Sequence, residues 1–411
     1  MATPRLYACL LLVLLSKIGA RGLDEVLARE HPVCKDPREP TMGEGLVFSR
    51  GGSAAKDNLR DTLASVATDQ NLVIITTSDF KFRTFVVNFV CAAKSLSINN
   101  TLVMALDPKL HKFLSNESIN TFYSPTLSTQ SVRDHGEAED TGHWNSPTYN
   151  NLVHMKTFHI AAVLNDGFNV LFVDADIVLL QDIRPAMHGY LSHISGPEVV
   201  MQQNWEQNEL NPGFSLWRSS PGAMKFLDLV LATECNLETG GISRGGYGFG
   251  IRDDQHAYNY VLACGQPDGG RSTWLWKEHE KSHMLSRAQV EAGVRPRAFR
   301  VDCSSANGLQ VTYGLFDPLK FQTGSPKYEG LRSHAAIIHP NFMVKWKAER
   351  LKRAGLWCLD NPMTFLGNAS QLNEFDTKLK FNRRTRRLTS TPQQRRKRSS
   401  LRVSHNTSHA H

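Results

Sequence analysis

The chain has 411 residues, of which 41% are hydrophobic, and its mean hydropathy is −0.33. These values predict a water-soluble globular protein of one large or two ordinary domains. The formal net charge of +8 is misleading, because residues 377–411 hold eleven Lys and Arg and no Asp or Glu. Removing these eleven charges leaves −3 for the rest of the chain, which excludes a basic nucleic-acid-binding body. Residues 361–411 are predicted to form a basic, disordered tail.

The first 20 residues have the features of a targeting segment. Arg5 precedes ten apolar residues, Leu6–Leu15, and the small residue Ala20 follows them. Ten apolar residues are too few for a bilayer-spanning helix, which needs about 20. Residues 1–20 are therefore predicted to be a secretory signal peptide or a short membrane anchor. The mixed, polar residues 21–69 are predicted to form a stem.

Sequons and cysteines favour the lumen of the secretory pathway, in the Golgi or the endoplasmic reticulum. Four N-x-S/T sequons occur, at Asn99, Asn116, Asn368 and Asn406. Outside the targeting segment the chain has six cysteines, an even number that can pair in an oxidising compartment. These are Cys34, Cys91, Cys235, Cys264, Cys303 and Cys358. Their connectivity is open, since six cysteines allow fifteen pairings.

Strands and helices are predicted to alternate along the chain. Residues 71–77 and 101–105 predict buried strands, and residues 83–97 between them predict a helix. Apolar residues at helical intervals over 153–164 predict a second helix, which Gly167 ends. This progression predicts an α/β fold with a mostly parallel sheet flanked by helices.

The second half of the chain continues the pattern with shorter elements. Strands are predicted over residues 198–202, 214–217 and 335–339, and helices over 221–232, 254–262 and 344–355. Pro221 suits the first position of its helix, and Asp253 suits the capping position before the next one.

The most informative stretch is NVLFVDADIV, residues 169–178. Its apolar half predicts a strand buried on both faces, and its carboxylates, Asp174 and Asp176, follow where open α/β sheets bind ligands. Two aspartates at that place repel each other unless a cation or hydrogen-bond donors face them. A divalent ion that bridges protein and diphosphate would supply the charge. The alternative is a pair of aspartates that caps the next turn.

Several segments together carry a family resemblance. They are NLVIITTSD (71–79), LVMALD (102–107), Lys156, GFNVLFVDADIVLLQD (167–182), NPGFSLWRS (211–219), DDQHAYNYVL (253–262) and HPN…LKRAGLW (339–357). In order and spacing they resemble the nucleotide-diphospho-sugar transferase domain of glycosyltransferase family 77. The resemblance spans residues 70–358, and the transferase domain is expected over residues 70–360.

The resemblance implies a GT-A-type, Rossmann-like fold and a metal-dependent glycosyltransferase. Such an enzyme moves galactose, arabinose or xylose from a UDP-sugar to a glycan or glycoprotein, with retention of configuration. The implied cofactor is Mn²⁺ or Mg²⁺, and the implied location is the secretory pathway, with anchoring by the N-terminus as one alternative.

The same resemblance assigns roles to single residues around the metal and the nucleotide. Asp176 binds the metal, Asp174 binds the ribose or a metal-bound water, and His339 is the third ligand. Lys156 and Lys345 add positive charge at the diphosphate, and Thr77 contacts the nucleotide. The alternatives are a locally bonded histidine and solvated lysines.

Further residues are assigned to the sugar. Asn211 and Gly213 approach the donor sugar, unless NPG is an ordinary turn. Asp254 and Gln255 bond sugar hydroxyls or stabilise the transition state, and helix capping is the alternative for Asp254. Trp144, Trp205 and Trp217 are candidates for stacking on sugar rings or for packing.

Two other functions compete with the transferase. A haloacid-dehalogenase-type phosphatase also ends a buried strand in D-x-D, but that motif normally lies near the start of its domain. A non-catalytic sugar-binding protein on the same fold is the third class. Metal-dependent release of UDP from a donor separates the transferase from both.

Overall fold

A computed structural model describes most of the chain between Ser53 and Asp360. The described residues are 53–125, 147–193, 195–204, 209–238, 254–265, 289, 292, 294, 296–305, 307–323, 335–341 and 347–360. The predicted targeting segment, most of the predicted stem and the basic tail lie outside these residues, as do Asn368 and Asn406.

Among the described residues, eight strands form a central sheet and three short strands form a second sheet. The central strands are β1 (Leu72–Ser78), β2 (Thr101–Ala105), β3 (Thr121–Phe122), β4 (Asn169–Val173), β6 (Val199–Asn204), β7 (Glu209–Trp217), β8 (Ala298–Cys303) and β9 (Leu309–Leu315). The second sheet holds β5 (Val178–Leu179), β10 (Phe321–Thr323) and β11 (Ile337–His339). Their orders are β3-β2-β1-β4-β7-β6-β9-β8 and β10-β11-β5.

The central sheet is mostly parallel, as predicted. Strands β3, β2, β1, β4, β6 and β9 point in one direction, and β7 and β8 run opposite to them. The carboxyl ends of β1, β2 and β4 therefore meet at one edge of the sheet, where open α/β sheets bind ligands.

Helices cover both faces of the sheet. They are α1 (Ser53–Val66), α2 (Arg83–Ser95), α3 (Pro108–Asn116), α4 (Pro147–Asn165), α5 (Arg184–Ser192), α6 (Pro221–Glu238), α7 (Asp254–Leu262) and α8 (Lys347–Arg353). Within the described part of the chain, no helix combines the length and the apolar character that a membrane span requires.

Two hydrophobic cores lie on opposite faces of the central sheet. Along β1, Val73 and Ile75 join the core under α1, α4, α6 and α7, whereas Leu72 and Ile74 join the core under α2, α3 and α5. Alternate side chains of a strand point to opposite faces, so a strand that is buried on both faces is apolar throughout. Burying each such side chain contributes about 1.5–3 kcal/mol.

Helix α1 extends the packed body to the N-terminal side of residue 70. Its Leu59 and Leu63 are buried in the same core as β1 and α4. The helix spans Ser53–Val66, within the segment that composition alone suggests as a stem.

Within the described part of the chain, two disulfides join segments that are far apart in sequence. Cys91 in α2 bonds Cys358, which begins a short 3-10 turn after α8, and Cys264 bonds Cys303 at the end of β8. The side chains of Cys34 and Cys235 lie outside the described part. Four of the six cysteines that the sequence makes available are thus paired.

We expect loss of the Cys91–Cys358 bond to destabilise the protein. The two cysteines are 267 residues apart, so the bond restricts the conformations of the unfolded chain. Loss of such a native disulfide typically lowers the free energy of unfolding by about 2–5 kcal/mol. The double substitution Cys91→Ala with Cys358→Ala should lower the free energy of unfolding in urea by that amount. An unchanged unfolding midpoint with the same slope would show that the bond does not form.

Candidate metal and donor site

The two aspartates follow a buried inner strand of the central sheet. Strand β4 lies between β1 and β7, and its last four residues, 170–173, are buried. Asp174 continues the edge of β4, since its backbone N–H donates to the Gly213 carbonyl at 2.7 Å. The Ile177 N–H then donates to the Asp174 carbonyl at 3.0 Å, which closes a tight turn that holds Asp176 at the carboxyl end of β4.

Asp174, Asp176 and His339 form one cluster. A potential ligand atom of each residue lies within 4.8 Å of the other two. The His339 Nε2 atom is 3.5 Å from Asp174 Oδ2 and 3.7 Å from Asp176 Oδ1. Two carboxylates and an imidazole at this spacing can share one divalent ion.

His339 reaches the aspartates from the second sheet. The sequence predicts that the strands before Asp174 and before His339 belong to one sheet, and that prediction is wrong, because β4 and β11 lie in different sheets. Strand β5 starts two residues after Asp176 and pairs with β11, with Ile338 opposite Val178. The histidine therefore comes close because β11 is hydrogen-bonded to the segment that follows the aspartates.

Gln202 fixes the ring of His339. The Gln202 Nε2 atom donates to the Phe321 carbonyl at 3.0 Å, which leaves its Oε1 atom to accept from His339 Nδ1 at 2.9 Å. With the proton on Nδ1, the lone pair of Nε2 faces the aspartates. Burial lowers the pKa of His339, and the neighbouring Asp176 and Asp174 oppose this effect without reversing it, so the ring is neutral at neutral pH.

Gly213 gives the cluster the space it occupies. The NPG segment, residues 211–213, lies within β7, where the pairing with β6 shifts between Met201 and Gln202. A Cβ atom on Gly213 would lie 2.2 Å from Asp174 Oδ2 and 2.6 Å from His339 Cε1. The segment is therefore an irregularity in a central strand rather than an ordinary turn, and Asn211 stabilises it by accepting from the Gly213 N–H at 2.8 Å.

Lys156 links the cluster of Asp174, Asp176 and His339 to helix α7. Its Nζ atom lies 2.7 Å from Asp254 Oδ2 and 3.4 Å from Asp174 Oδ1, and its side chain is 7% exposed. Asp254 is buried at the first position of α7. The lysine is thus not a solvated surface residue, because it bridges two of the carboxylates that the sequence assigns to the site.

The other predicted donor residues have defined partners. Gln255 Nε2 donates to Glu209 Oε2 at 2.6 Å, and Thr77 Oγ1 lies 2.9 Å from His159 Nδ1 at the carboxyl end of β1. Asn259 ties α7 to β7, since it bonds both the N–H and the carbonyl of Leu210 at 2.9 Å.

The predicted lysine and tryptophan residues have different outcomes. Lys345 lies outside the described residues, and it is Lys347 whose ammonium contacts Asp176 Oδ2. Trp217 is fully buried against Phe226 and Tyr258, so its role is packing and not stacking on a sugar. Trp144 and Trp205 lie outside the described residues.

The donor set fits a divalent ion. Asp176 Oδ1 is buried and has no hydrogen-bond partner within the described part of the chain, although it faces His339 Nε2. An unsatisfied buried carboxylate oxygen costs free energy, and a cation placed between it and the imidazole would remove that cost. Carboxylate oxygens with one imidazole nitrogen suit Mn²⁺, and the oxygens alone suit Mg²⁺.

The sequence profile of the nucleotide-diphospho-sugar transferase family matches residues 96–357, which is more than half of the chain. The chain belongs to this family. This match confirms the family resemblance that the sequence segments carry. The cluster of Asp174, Asp176 and His339 lies within the matched region.

Two curated relatives are glycosyltransferases of Arabidopsis thaliana. The beta-arabinofuranosyltransferase RAY1 is 24% identical over 184 residues, which are 42% of this chain and 32% of that protein. The arabinosyltransferase XEG113 is 26% identical over 170 residues, which are 38% of this chain and 24% of that protein. The matched regions thus span about a third or less of the length of these relatives.

A solved structure is also similar. Mouse xyloside xylosyltransferase 1 in its apo form aligns with 59% of this chain and 96% of its own, at 11% identity and a TM-score of 0.30.

Four residues around the site were not found from the sequence. They are Gln202, Lys347, Glu209 and Asn259. Gln202, Lys347 and Glu209 each contact a predicted site residue from a distant segment, and Asn259 holds α7 against Leu210 of β7, so no local spacing signals these contacts. The sole available hint was the Gln-Gln pair at the end of β6, since amides are uncommon at the buried end of an apolar strand.

We expect Gln202→Leu to weaken divalent-ion binding about 10- to 100-fold, the usual effect of removing a group that orients a ligating histidine. The substitution removes the acceptor for His339 Nδ1–H and leaves the ring free to rotate. Titration calorimetry with Mn²⁺ measures the effect. Gln202→Glu keeps the acceptor and should recover part of the affinity, whereas equal losses in both variants would contradict the orienting role.

Proposed function

We propose that this chain is a metal-dependent glycosyltransferase that moves a sugar of the galactose, arabinose or xylose class from a UDP-sugar to a glycan or glycoprotein, with retention of configuration. The observation that carries the proposal is the convergence of Asp174, Asp176 and a neutral His339 at the carboxyl edge of the sheet. Family membership supports the nucleotide-sugar donor.

The metal would be held by Asp176 Oδ1, His339 Nε2 and Asp174 Oδ2, which already face one another. When bound, Mn²⁺ or Mg²⁺ acts as a Lewis acid on the diphosphate and stabilises its charge as it leaves. Gly213 leaves the space in which these groups meet, and Gln202 keeps the imidazole lone pair directed at them.

The chain's own residues would position the sugar beside this centre. Lys156 places one positive charge between Asp174 and Asp254, so it can bind a diphosphate oxygen without leaving the site. Asp254 and Gln255 start α7 on the same side and would bond sugar hydroxyls or stabilise positive charge in the transition state. Thr77, at the end of β1, would contact the nucleotide.

We further propose that the chain works in the lumen of the secretory pathway. The bonds Cys91–Cys358 and Cys264–Cys303 favour this location. Disulfides form in oxidising compartments and are rare in cytosolic proteins. The sequon asparagines Asn99 and Asn116 are exposed and so accessible to glycosylation. The transferase domain would cover residues 70–360, with α1 packed on it.

A donor-hydrolysis assay tests the activity. The protein, secreted from a eukaryotic host, is incubated with UDP-galactose, UDP-arabinose and UDP-xylose, with and without Mn²⁺, and released UDP is measured. One donor should give Mn²⁺-dependent release. Phosphate release from monoesters would instead indicate the phosphatase, and sugar binding that is independent of metal and without turnover would indicate a binding protein.

A further inference from the structure

Lys347 contacts the carboxylate that the proposed function gives to the metal. Its Nζ atom bonds Asp176 Oδ2, and the two side chains are only 21% and 16% exposed. The pair joins the start of α8 to the turn after β4, over 171 residues of sequence. It differs from the other ion pair of α8, Lys352 with Asp360, in which both side chains are about half exposed.

The two oxygens of Asp176 have different surroundings. Oδ2 is occupied by the ammonium of Lys347, whereas Oδ1 has no hydrogen-bond partner in the described structure and faces His339. A divalent ion between Oδ1 and His339 would lie on the same small carboxylate as this ammonium. Like charges that close repel strongly in a partly buried site, because water screens them little.

The charges around the cluster show why the lysine is present. Asp174, Asp176 and Asp254 carry three negative charges, and Lys156 and Lys347 carry two positive charges. The five side chains therefore have a formal charge of −1. A divalent ion would change this sum to +1, and a nucleotide diphosphate would make it negative again. The diphosphate thus offsets the positive charge that the ion adds, whereas the ammonium of Lys347 repels an ion that arrives alone.

We propose that Lys347 is an internal counter-ion of Asp176, which weakens divalent-ion binding until a nucleotide diphosphate arrives and takes over its ammonium. The flexible four-carbon stem of a lysine allows the exchange of partners without movement of the backbone. The exchange couples the two ligands: the diphosphate strengthens ion binding, and by linkage the ion strengthens diphosphate binding by the same factor. The role of the diphosphate rests on the proposed function; the competition with the ion does not.

The test is calorimetric titration of Mn²⁺ into wild type and Lys347→Met, each with and without UDP. Without UDP, the variant should bind Mn²⁺ at least about tenfold tighter. A charge next to an ionisable group shifts the pKa of that group by about one unit or more, which is a tenfold change in the equilibrium constant, and we expect an effect of the same size on ion binding. The factor by which UDP tightens Mn²⁺ binding should be smaller in the variant than in wild type.

Three further variants control the experiment. Lys352→Met removes the same charge from the same helix at an exposed pair and should bind Mn²⁺ like wild type. Lys347→Arg keeps the charge and should also resemble wild type. Lys347→Gln replaces Lys347→Met if the latter does not fold, as judged by circular dichroism.

The outcomes separate this inference from the proposed function. Equal or weaker Mn²⁺ binding by Lys347→Met without UDP overturns the role of Lys347 and leaves the metal site standing if wild type binds. Binding by the variant, with no binding by wild type either with or without UDP, supports Lys347 and contradicts a metal-dependent enzyme. Absence of binding in both overturns both.

Discussion

Asp176→Asn should abolish measurable Mn²⁺ binding and reduce UDP release at least about a hundredfold. The substitution keeps the shape of the side chain but removes the charge of a carboxylate whose Oδ1 faces His339 and has no other partner in the described structure. Metal coordination is worth several kcal/mol of charge stabilisation. Titration calorimetry measures the first effect and the UDP-release assay the second. Asp182→Asn is the matched control, because Asp182 lies in the same segment, is more exposed and pairs with Arg184.

The stability of Asp176→Asn should change little. Sequence alone suggests that removing one of two repelling aspartates stabilises the fold. In the structure Lys156 and Lys347 already compensate the pair: burial raises the pKa of Asp176, but the neighbouring positive charges, with Lys347 first among them, lower it overall. We therefore expect a change within about 1 kcal/mol, as for other partly solvated ion pairs. A large loss of stability would mean that Asp176 is mainly structural.

Gly213→Ala should damage the site almost as much, by a steric route. Its new Cβ atom would lie 2.2 Å from Asp174 Oδ2 and 2.6 Å from His339 Cε1, so both side chains must leave their positions. We expect Mn²⁺ affinity to fall more than tenfold and stability to fall by about 1–3 kcal/mol, the usual cost of overpacking.

Gly189→Ala is the matched control for this substitution. Gly189 lies within α5, and a Cβ atom there meets nothing within 4 Å. Alanine in a helix is favoured over glycine by about 1 kcal/mol, so this variant should be as stable as wild type or more stable, with unchanged Mn²⁺ affinity. If Gly213→Ala is as stable as wild type and binds Mn²⁺ with the same affinity, a Cβ atom at residue 213 does not displace Asp174 and His339, which would contradict the close packing of the cluster.

Local pattern was enough to predict the strand that ends in the aspartates. The apolar run before Asp174 is long enough to identify a doubly buried strand, and Gly167 ends the preceding helix with a φ of +88°, as expected. Helix α7 likewise begins at Asp254 as predicted. These features depend on residues that are neighbours in the chain, so their spacing carries the information.

The environment of His339 could not be predicted in the same way. Its proximity to Asp176 was expected, but the second sheet that brings it there depends on the pairing of β11 with β5, 160 residues apart at Ile338 and Val178. Gln202 and Lys347 also act across long sequence separations. Partners of this kind are determined by the packed fold: no local pattern indicates Lys347, and the Gln-Gln pair at the end of β6 is the one local feature that points to Gln202.

The most direct test of the metal site is anomalous diffraction at the manganese edge from crystals grown with Mn²⁺ and UDP. We predict one strong anomalous peak about 2.1–2.2 Å from an Asp176 oxygen and from His339 Nε2, with Asp174 beside it and the diphosphate on its open side. A structure with UDP bound in which no manganese peak lies between Asp176 and His339 would contradict the proposed site.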